Sequence, residues 1–282
     1  MTSYIKTFWQ YCLPQHLISR LVGWLAYSTY PPLKRMLIQV FIKYFKIDVA
    51  EADPNDPEAY DNFNQFFTRN VLSRTIAPEP NCIVSPADGT ISQFGTIQGN
   101  QLLQAKGHTF TAEQLLGEPS SSSTLFKDGH FITIYLAPRD YHRVHMPLTG
   151  QLKRMTYIPG RLFSVNQLTT QTIKGLFARN ERVVCYFETE IGLIALVLVG
   201  AMLVASIKTA WAGIIAPNRE NVIKTWDYTL NSITYSKGQE IGQFCYGSTV
   251  IVLFPQNSIT FQPSIQIYDA VKMGQIIGEM RV

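Results

Sequence analysis

Charge is scarce in this 282-residue sequence. Asp, Glu, Lys and Arg together make up 16%, well under the usual quarter, while hydrophobic residues make up 46%. That balance excludes a disordered chain and fits a protein that keeps part of its surface on a membrane. The net charge of +4 is mild, and neither a basic block nor an aromatic nucleic-acid signature occurs, so no nucleic-acid partner is expected. Acid is missing altogether from the first 47 residues, which carry Lys6, Arg20, Lys34, Arg35, Lys43 and Lys46. The next fifteen, Asp48 to Asn62, reverse this with six acids and no Lys or Arg. So abrupt a change marks a change of environment. The four cysteines, Cys12, Cys82, Cys185 and Cys245, show no CxxC spacing, which argues against a disulfide framework and a zinc site and for a reducing compartment. The N-terminus lacks a short apolar core followed by a small-residue cleavage site, so no removable signal peptide is expected. No G-x-S-x-G nucleophile elbow occurs. A long spanning run is missing too. The one candidate, Ile191 to Ile207, has 17 uncharged residues, short of the roughly 20 a membrane helix needs. Rich in Val and Ile, it reads as two buried strands broken near Gly200.

What is present divides into two textures. Residues 16–28 and 33–47 are predicted helices joined at Tyr30-Pro-Pro32. Leu17, Ile18, Leu21, Val22 and Leu25 recur at helical spacing in the first, and Leu33, Met36, Leu37, Val40, Phe41, Tyr44 and Phe45 in the second. With flanking cations and Trp9, Tyr11, Trp24, Tyr27 and Tyr30, the pair has the composition of helices lying on an anionic bilayer. The same pattern also suits helices packed on their own domain. An acidic connector follows, ending in a short helix at Phe63, Phe66 and Phe67. From Ser85 onward, β-prone runs alternate with Gly and Pro: Gly89–Ser92, Phe131–Leu136 and Val183–Phe187. Ser120–Ser123 reads as a surface loop. The fold class is therefore α+β, with N-terminal amphipathic helices followed by a predominantly β domain.

Three pieces in the strand-rich part carry potential chemistry. Asp88-Gly89, within Ser85-Pro-Ala-Asp-Gly89, is a turn or a functional acid. His142 and His145 lie in Pro138–Pro147, just after a predicted strand, where catalytic groups often sit. No compact third ligand accompanies them, so no metal is expected. Gly247-Ser248 precedes the apolar run Val250–Phe254; it reads as a turn into a buried strand or as a nucleophile site. An Asp, a His and a Ser are what a base-activated serine needs, although spacing alone does not single these out.

Together these motifs resemble the bacterial phosphatidylserine decarboxylases, pyruvoyl enzymes made as proenzymes. The resemblance runs through Leu13–His16, Pro86–Ser92, Leu103–His108, Pro138–Pro147, Pro159–Asn166, Leu176–Arg182, Trp211–Gly213, Lys237–Glu240 and Gly247–Thr249, nearly the whole chain. Many bacterial members have Leu where Tyr246 stands. The resemblance implies that Ser248 Oγ attacks the Gly247 carbonyl, with His145, paired with Asp88, as base. The resulting ester eliminates, and hydrolysis with loss of ammonia turns Ser248 into a pyruvoyl group. Residues 1–70 would then be a membrane-associating helical segment and connector. Residues 71–282 would be a catalytic domain cut into chains 1–247 and 248–282. The pyruvoyl group, with no metal and no pyridoxal phosphate, would decarboxylate phosphatidylserine to phosphatidylethanolamine, and His142 would supply a proton. The loop holding Arg161, Phe163 and Ser164 would hold substrate phosphate or carboxylate, or be an ordinary turn. The resemblance further implies a peripheral enzyme on the cytoplasmic side of the cell membrane, bound through residues 1–47, and a homodimer. Two other readings stay open: a membrane-associated hydrolase using Ser248, His145 and Asp88, and a non-catalytic lipid-surface protein.

Overall fold

The computed structural model describes residues 2–72, 74–117, 124–202, 206–216, 221–245 and 248–281. The serine tract 120–123 and the pair Tyr246-Gly247 lie outside the described residues.

Three helices open the chain: α1 (Thr2–Cys12), α2 (Gln15–Ala26) and α3 (Pro31–Phe45). Pro31 and Pro32 begin α3, where a missing N–H costs nothing, and Lys46 ends it in a left-handed conformation. Sequence periodicity gave the second and third of these; α1 is additional. In α2 the buried positions are Gln15, Ser19, Gly23 and Ala26. Leu17, Leu21 and Trp24 are exposed, Trp24 at 75%. The helix thus shows a small, polar face to the protein and its large apolar face to the outside. After the connector, α4 (Phe63–Phe67) brings Phe63, Phe66 and Phe67 together with Ala26, Ile38, Ile47 and Tyr60 in a small helical core.

The rest is strand-rich. The main sheet has nine strands among the described residues, all antiparallel. At its centre Gly150–Ile158, Arg182–Thr189, Gly192–Val199, Ser248–Phe254, His130–Leu136 and Gly89–Thr96 lie side by side in that order. Both faces are covered. Val250, Val252 and Phe254 point into one core, Ile251 and Leu253 into another. The apolar run 191–207 becomes the strands Gly192–Val199 and Ser206–Thr209, as the sequence predicted. It needs no charge because both faces of Gly192–Val199 pack on apolar side chains. No helix among the described residues is long and apolar enough to cross a membrane. A four-stranded sheet, Gly213–Ala216, Ser206–Thr209, Glu240–Cys245 and Arg143–His145, packs beside the main one. Two residues separate the end of its Glu240–Cys245 strand from Ser248.

Candidate active site

Ser248 opens a strand whose seven residues are all buried. It stands opposite Leu136, and Thr249 opposite both Tyr135 and Val199, so the strand is held from two sides. Leu136 ends the strand from which the chain runs directly to His142 and on to the short strand Arg143–His145. The Phe244 N–H donates to the His142 carbonyl at 2.9 Å, and the His145 N–H to the Pro86 carbonyl at 2.8 Å. Backbone pairing thus gathers the Ser248, His142/His145 and Asp88 motifs at one end of the sheet. Gly89 is required by close approach. A Cβ there would lie 2.4 Å from the Tyr135 carbonyl oxygen, so this glycine lets two strands meet.

Ser248 is fully buried, yet its hydroxyl has no hydrogen-bond partner among the described residues. An unsatisfied buried hydroxyl costs about 1–3 kcal/mol, and such exceptions call for a functional explanation. His142 is in the same condition. Its Nδ1–H donates to the Asp140 carbonyl at 2.8 Å, while Nε2 is buried without a partner. The Phe67 ring lies 4.2 Å from its own. Burial pushes this imidazole down to about 3, outweighing the Asp140 hydrogen bond, so it is neutral with a free lone pair. His145 is neutral too, again because burial dominates, although the charges of Glu240 and Asp88 pull the other way. Its Nδ1–H donates to the Gly238 carbonyl at 2.8 Å. That fixes Nε2 as the acceptor, and the Tyr141 hydroxyl occupies it at 3.0 Å. Burial raises the Tyr141 phenol, which therefore keeps its proton and donates.

The expected Asp88–His145 pair is not formed. Asp88 instead accepts from Arg74 at 2.7 and 3.2 Å, from the Met273 N–H at 2.8 Å and from Lys272 at 3.4 Å. The reason is charge: a carboxylate 2% exposed is better compensated by a guanidinium than by a neutral imidazole. Arg74 also grips Glu51 at 2.7 Å and holds that carboxyl below its ordinary range. With Arg69, Arg139, Asp140 and Tyr141 these groups line a cleft of about 180 Å³ next to both histidines.

Arg161, Phe163 and Ser164 do not form a joint substrate site. Phe163 is fully buried and packs on Tyr11 at 4.9 Å. The backbone N–H groups of Leu162 and Ser164 are taken by the side chains of Gln15 and Gln10. The loop is a docking point for α1 and α2. Arg161 alone is exposed, on a separate cleft. Among the described residues no cluster of three or more His, Cys, Asp or Glu side chains is placed to hold a metal. Sequence reasoning missed Tyr141, the Gly238 carbonyl and Arg74. Tyr141 was within reach, being four residues before His145 in a motif already singled out; a carbonyl and a distant arginine leave no such signal.

The family model for phosphatidylserine decarboxylase matches residues 63–279, and a second model, described only as PSD, matches residues 5–46. This chain belongs to the phosphatidylserine decarboxylase family. It is 48% identical to the phosphatidylserine decarboxylase proenzyme of Shewanella frigidimarina, covering 98% of each chain. It is 50% identical to that of Shewanella sediminis, over 96% of each, and 47% identical to that of Azotobacter vinelandii, over 97% of each. The family's decarboxylases thus correspond to both textures of this chain, the helical opening as well as the strand-rich remainder.

Proposed function

We propose that the chain is a phosphatidylserine decarboxylase proenzyme that cuts itself at Gly247–Ser248 and then works on phosphatidylserine at a membrane surface. The observation that carries this reading is the Ser248 hydroxyl, fully buried and without a partner among the described residues, at the start of a strand clamped from both sides. Most buried hydroxyls have a hydrogen bond; Ser206 and Thr249 are further exceptions, but Ser248 alone of the three directly follows the proposed scissile bond.

In maturation, Ser248 Oγ attacks the Gly247 carbonyl carbon, the peptide C–N bond breaks and an ester forms. Loss of the Ser248 α-proton expels the Gly247 carboxylate, and hydrolysis of the resulting enamine releases ammonia and leaves the pyruvoyl ketone. His145 is the base. Because Nε2 already accepts from Tyr141, a proton reaches it through, or in exchange for, that hydroxyl. Asp88 acts at a distance, its charge favouring the protonated imidazole. Pairing of Ser248–Phe254 with both neighbours, and the Met273–Asp88 hydrogen bond, would keep residues 248–282 attached after cleavage.

The pyruvoyl carbonyl supplies an electrophile for the serine amino group and a sink for the electron pair left when carbon dioxide departs. Ser248's buried position fits that group, since its neighbours exclude water and leave its polar atom unclaimed. His142 delivers the proton that replaces the lost carboxylate. Neutral while no substrate is bound, it takes up that proton when an anionic headgroup arrives and raises its affinity. The outward apolar faces of the N-terminal helices bring the site to the bilayer. Two chains on a denaturing gel, the smaller beginning at a blocked residue 248, are expected from wild type, and one inactive chain from Ser248→Ala. A full-length mass that persists in wild type on phosphatidylserine vesicles would sink the proposal.

A further inference from the structure

A second cleft, of about 720 Å³, lies where α2 meets the main sheet. His16, Arg20, Arg161 and Arg179 line it, and Glu181 is the one acid among the described residues that do so. Gly160 shapes the floor: a Cβ there would lie 2.5 Å from the Arg179 carbonyl oxygen, so only glycine lets the 159–161 backbone close on residues 179–181. Glu181 is buried and occupied, accepting from Tyr157 at 2.6 Å. Arg179 is held over the Tyr11 and Phe163 rings. His16 Nε2–H donates to the Gly160 carbonyl at 2.9 Å. The guanidinium groups of Arg20 and Arg161 are exposed, and among the described residues neither has an ion pair or a side-chain hydrogen bond. Two unpaired forks beside a third arginine form a set of donors suited to phosphate oxygens.

The cleft is not the reaction site. Glu181 on its rim, Gly200 and Ser248 stand in one row across the sheet, extending the register Arg182–Val199–Thr249 by one residue. Counting from Pro159, three strand spacings put Ser248 roughly 14 Å away. The amino nitrogen and phosphorus of a phosphoserine headgroup are separated by roughly 5 Å at most. One lipid cannot have its amine at Ser248 and its phosphate here.

Around α2, His16 and Arg20 fall between the inward stripe Gln15, Ser19, Gly23 and the exposed apolar stripe Leu17, Leu21, Trp24. A bilayer touching the apolar stripe sets its phosphates at the level of Arg20. We propose that this cleft binds the phosphate of an anionic phospholipid distinct from the one being decarboxylated, with Arg20 and Arg161 as its ligands. The lipid would pin α2 to both the membrane and the sheet. The inference rests on the membrane-surface reading above.

Full-length protein titrated calorimetrically with dihexanoylphosphatidylglycerol, below its micelle concentration, should show one saturable site. Arg20→Gln and Arg161→Gln should each weaken it about fivefold, and Lys43→Gln on α3 should leave it unchanged. Unaltered melting temperatures would establish that the variants fold. Inorganic phosphate binding as tightly as the lipid would overturn the lipid assignment. Equal loss in all three variants, or no saturable site, would overturn the cleft. Vesicles of phosphatidylcholine with and without phosphatidylglycerol separate the two readings. If wild type ignores both vesicles yet binds the soluble lipid, the membrane reading fails and the cleft stands. If wild type prefers the anionic vesicles and the arginine variants do so equally, the cleft fails and the membrane reading stands.

Discussion

Every side chain of the Ser248–Phe254 strand is buried, and its apolar residues alternate between two cores. In α2, which is also rich in Leu, Val and Trp, the buried positions are Gln, Ser, Gly and Ala, and the leucines and a tryptophan face outward. Their apolar content alone does not tell which side chains are buried. What separates them is the partner each face finds: side chains of this protein on both sides of the strand, and, among the described residues, little that covers the outer face of the helix. Among the described residues, more than half of the large exposed hydrophobic side chains fall within the first 47 positions, and a patch of that kind marks an interaction surface. On the reading proposed above, one region would hold the fold and the chemistry and the other the contact with lipid.

The difference can be broken most forcefully in the strand. Phe254→Ala empties a fully buried position and should cost about 3–5 kcal/mol of unfolding free energy in urea melts. A cost under about 1 kcal/mol would mean that the two cores collapse easily around the gap, and the strand would not be the rigid seat that the chemistry needs.

Arg74 tests whether the two regions are mechanically joined. It links Glu51 of the connector to Asp88 in the strand-rich part, and Lys272 joins from the C-terminal segment. Arg74→Met strands a carboxylate whose side chain is 3% exposed. The loss should be about 3 kcal/mol, the lower end for a broken buried pair, because Lys272 and the Met273 N–H remain. If Arg74→Met melts like wild type, the clamp is ornamental and the two regions are held by their other contacts, among them Phe67–His142, Arg143 to the Thr68 carbonyl and the Gln10 and Gln15 hydrogen bonds.

Much of this was legible before any coordinates. The helical opening, the short Phe63–Phe67 helix, the strand-rich remainder and the strands within 191–207 follow from period and composition. The functional motifs were legible as motifs, because Pro138–Pro147 and Gly247-Ser248 are local in sequence. Contacts were not. The family resemblance implies a pairing of Asp88 with His145. The true partner of Asp88, Arg74, sits in the irregular segment leading to the Cys82–Val84 strand, which has no periodicity to advertise it. The Gln10 and Gln15 contacts to the 162–164 backbone span about 150 residues, so a loop that looked like a substrate cradle is a helix dock. A sequence shows which residues want burial or chemistry; which of them meet is decided by topology.

Acid should reveal which region contains the buried histidines. His142 is pushed down to about 3, and His145 and His130 are lowered as well, each chiefly by burial. The unfolded chain takes up these protons near pH 6.5, while the folded chain resists. Stability is therefore full above about pH 6.5 and declines as pH falls toward about 3. For His142 alone the loss at pH 5 is about 2 kcal/mol. His142→Gln should flatten the acid limb by about that amount, whatever it does to stability at neutral pH. An unchanged slope between pH 7 and 5 would mean that the His142 ring is not held neutral.

The smallest effect isolates the helix. Trp24 is 75% exposed, so Trp24→Ala should change unfolding free energy by no more than about 0.5 kcal/mol. Its indole nevertheless has a large apolar area that a bilayer surface can cover. Losing it should weaken binding to vesicles by about 1–2 kcal/mol, roughly tenfold. A deletion of residues 1–47 cannot give the same information. It would remove Ala26, Ile38 and Ile47 from the core that holds Phe67, and Phe67 backs His142; activity would fall whether or not lipid contact mattered. A single outward side chain leaves that support intact. If Trp24→Ala destabilises the protein but binds vesicles as wild type does, the outward face of α2 belongs to the fold and the contrast between the two regions dissolves.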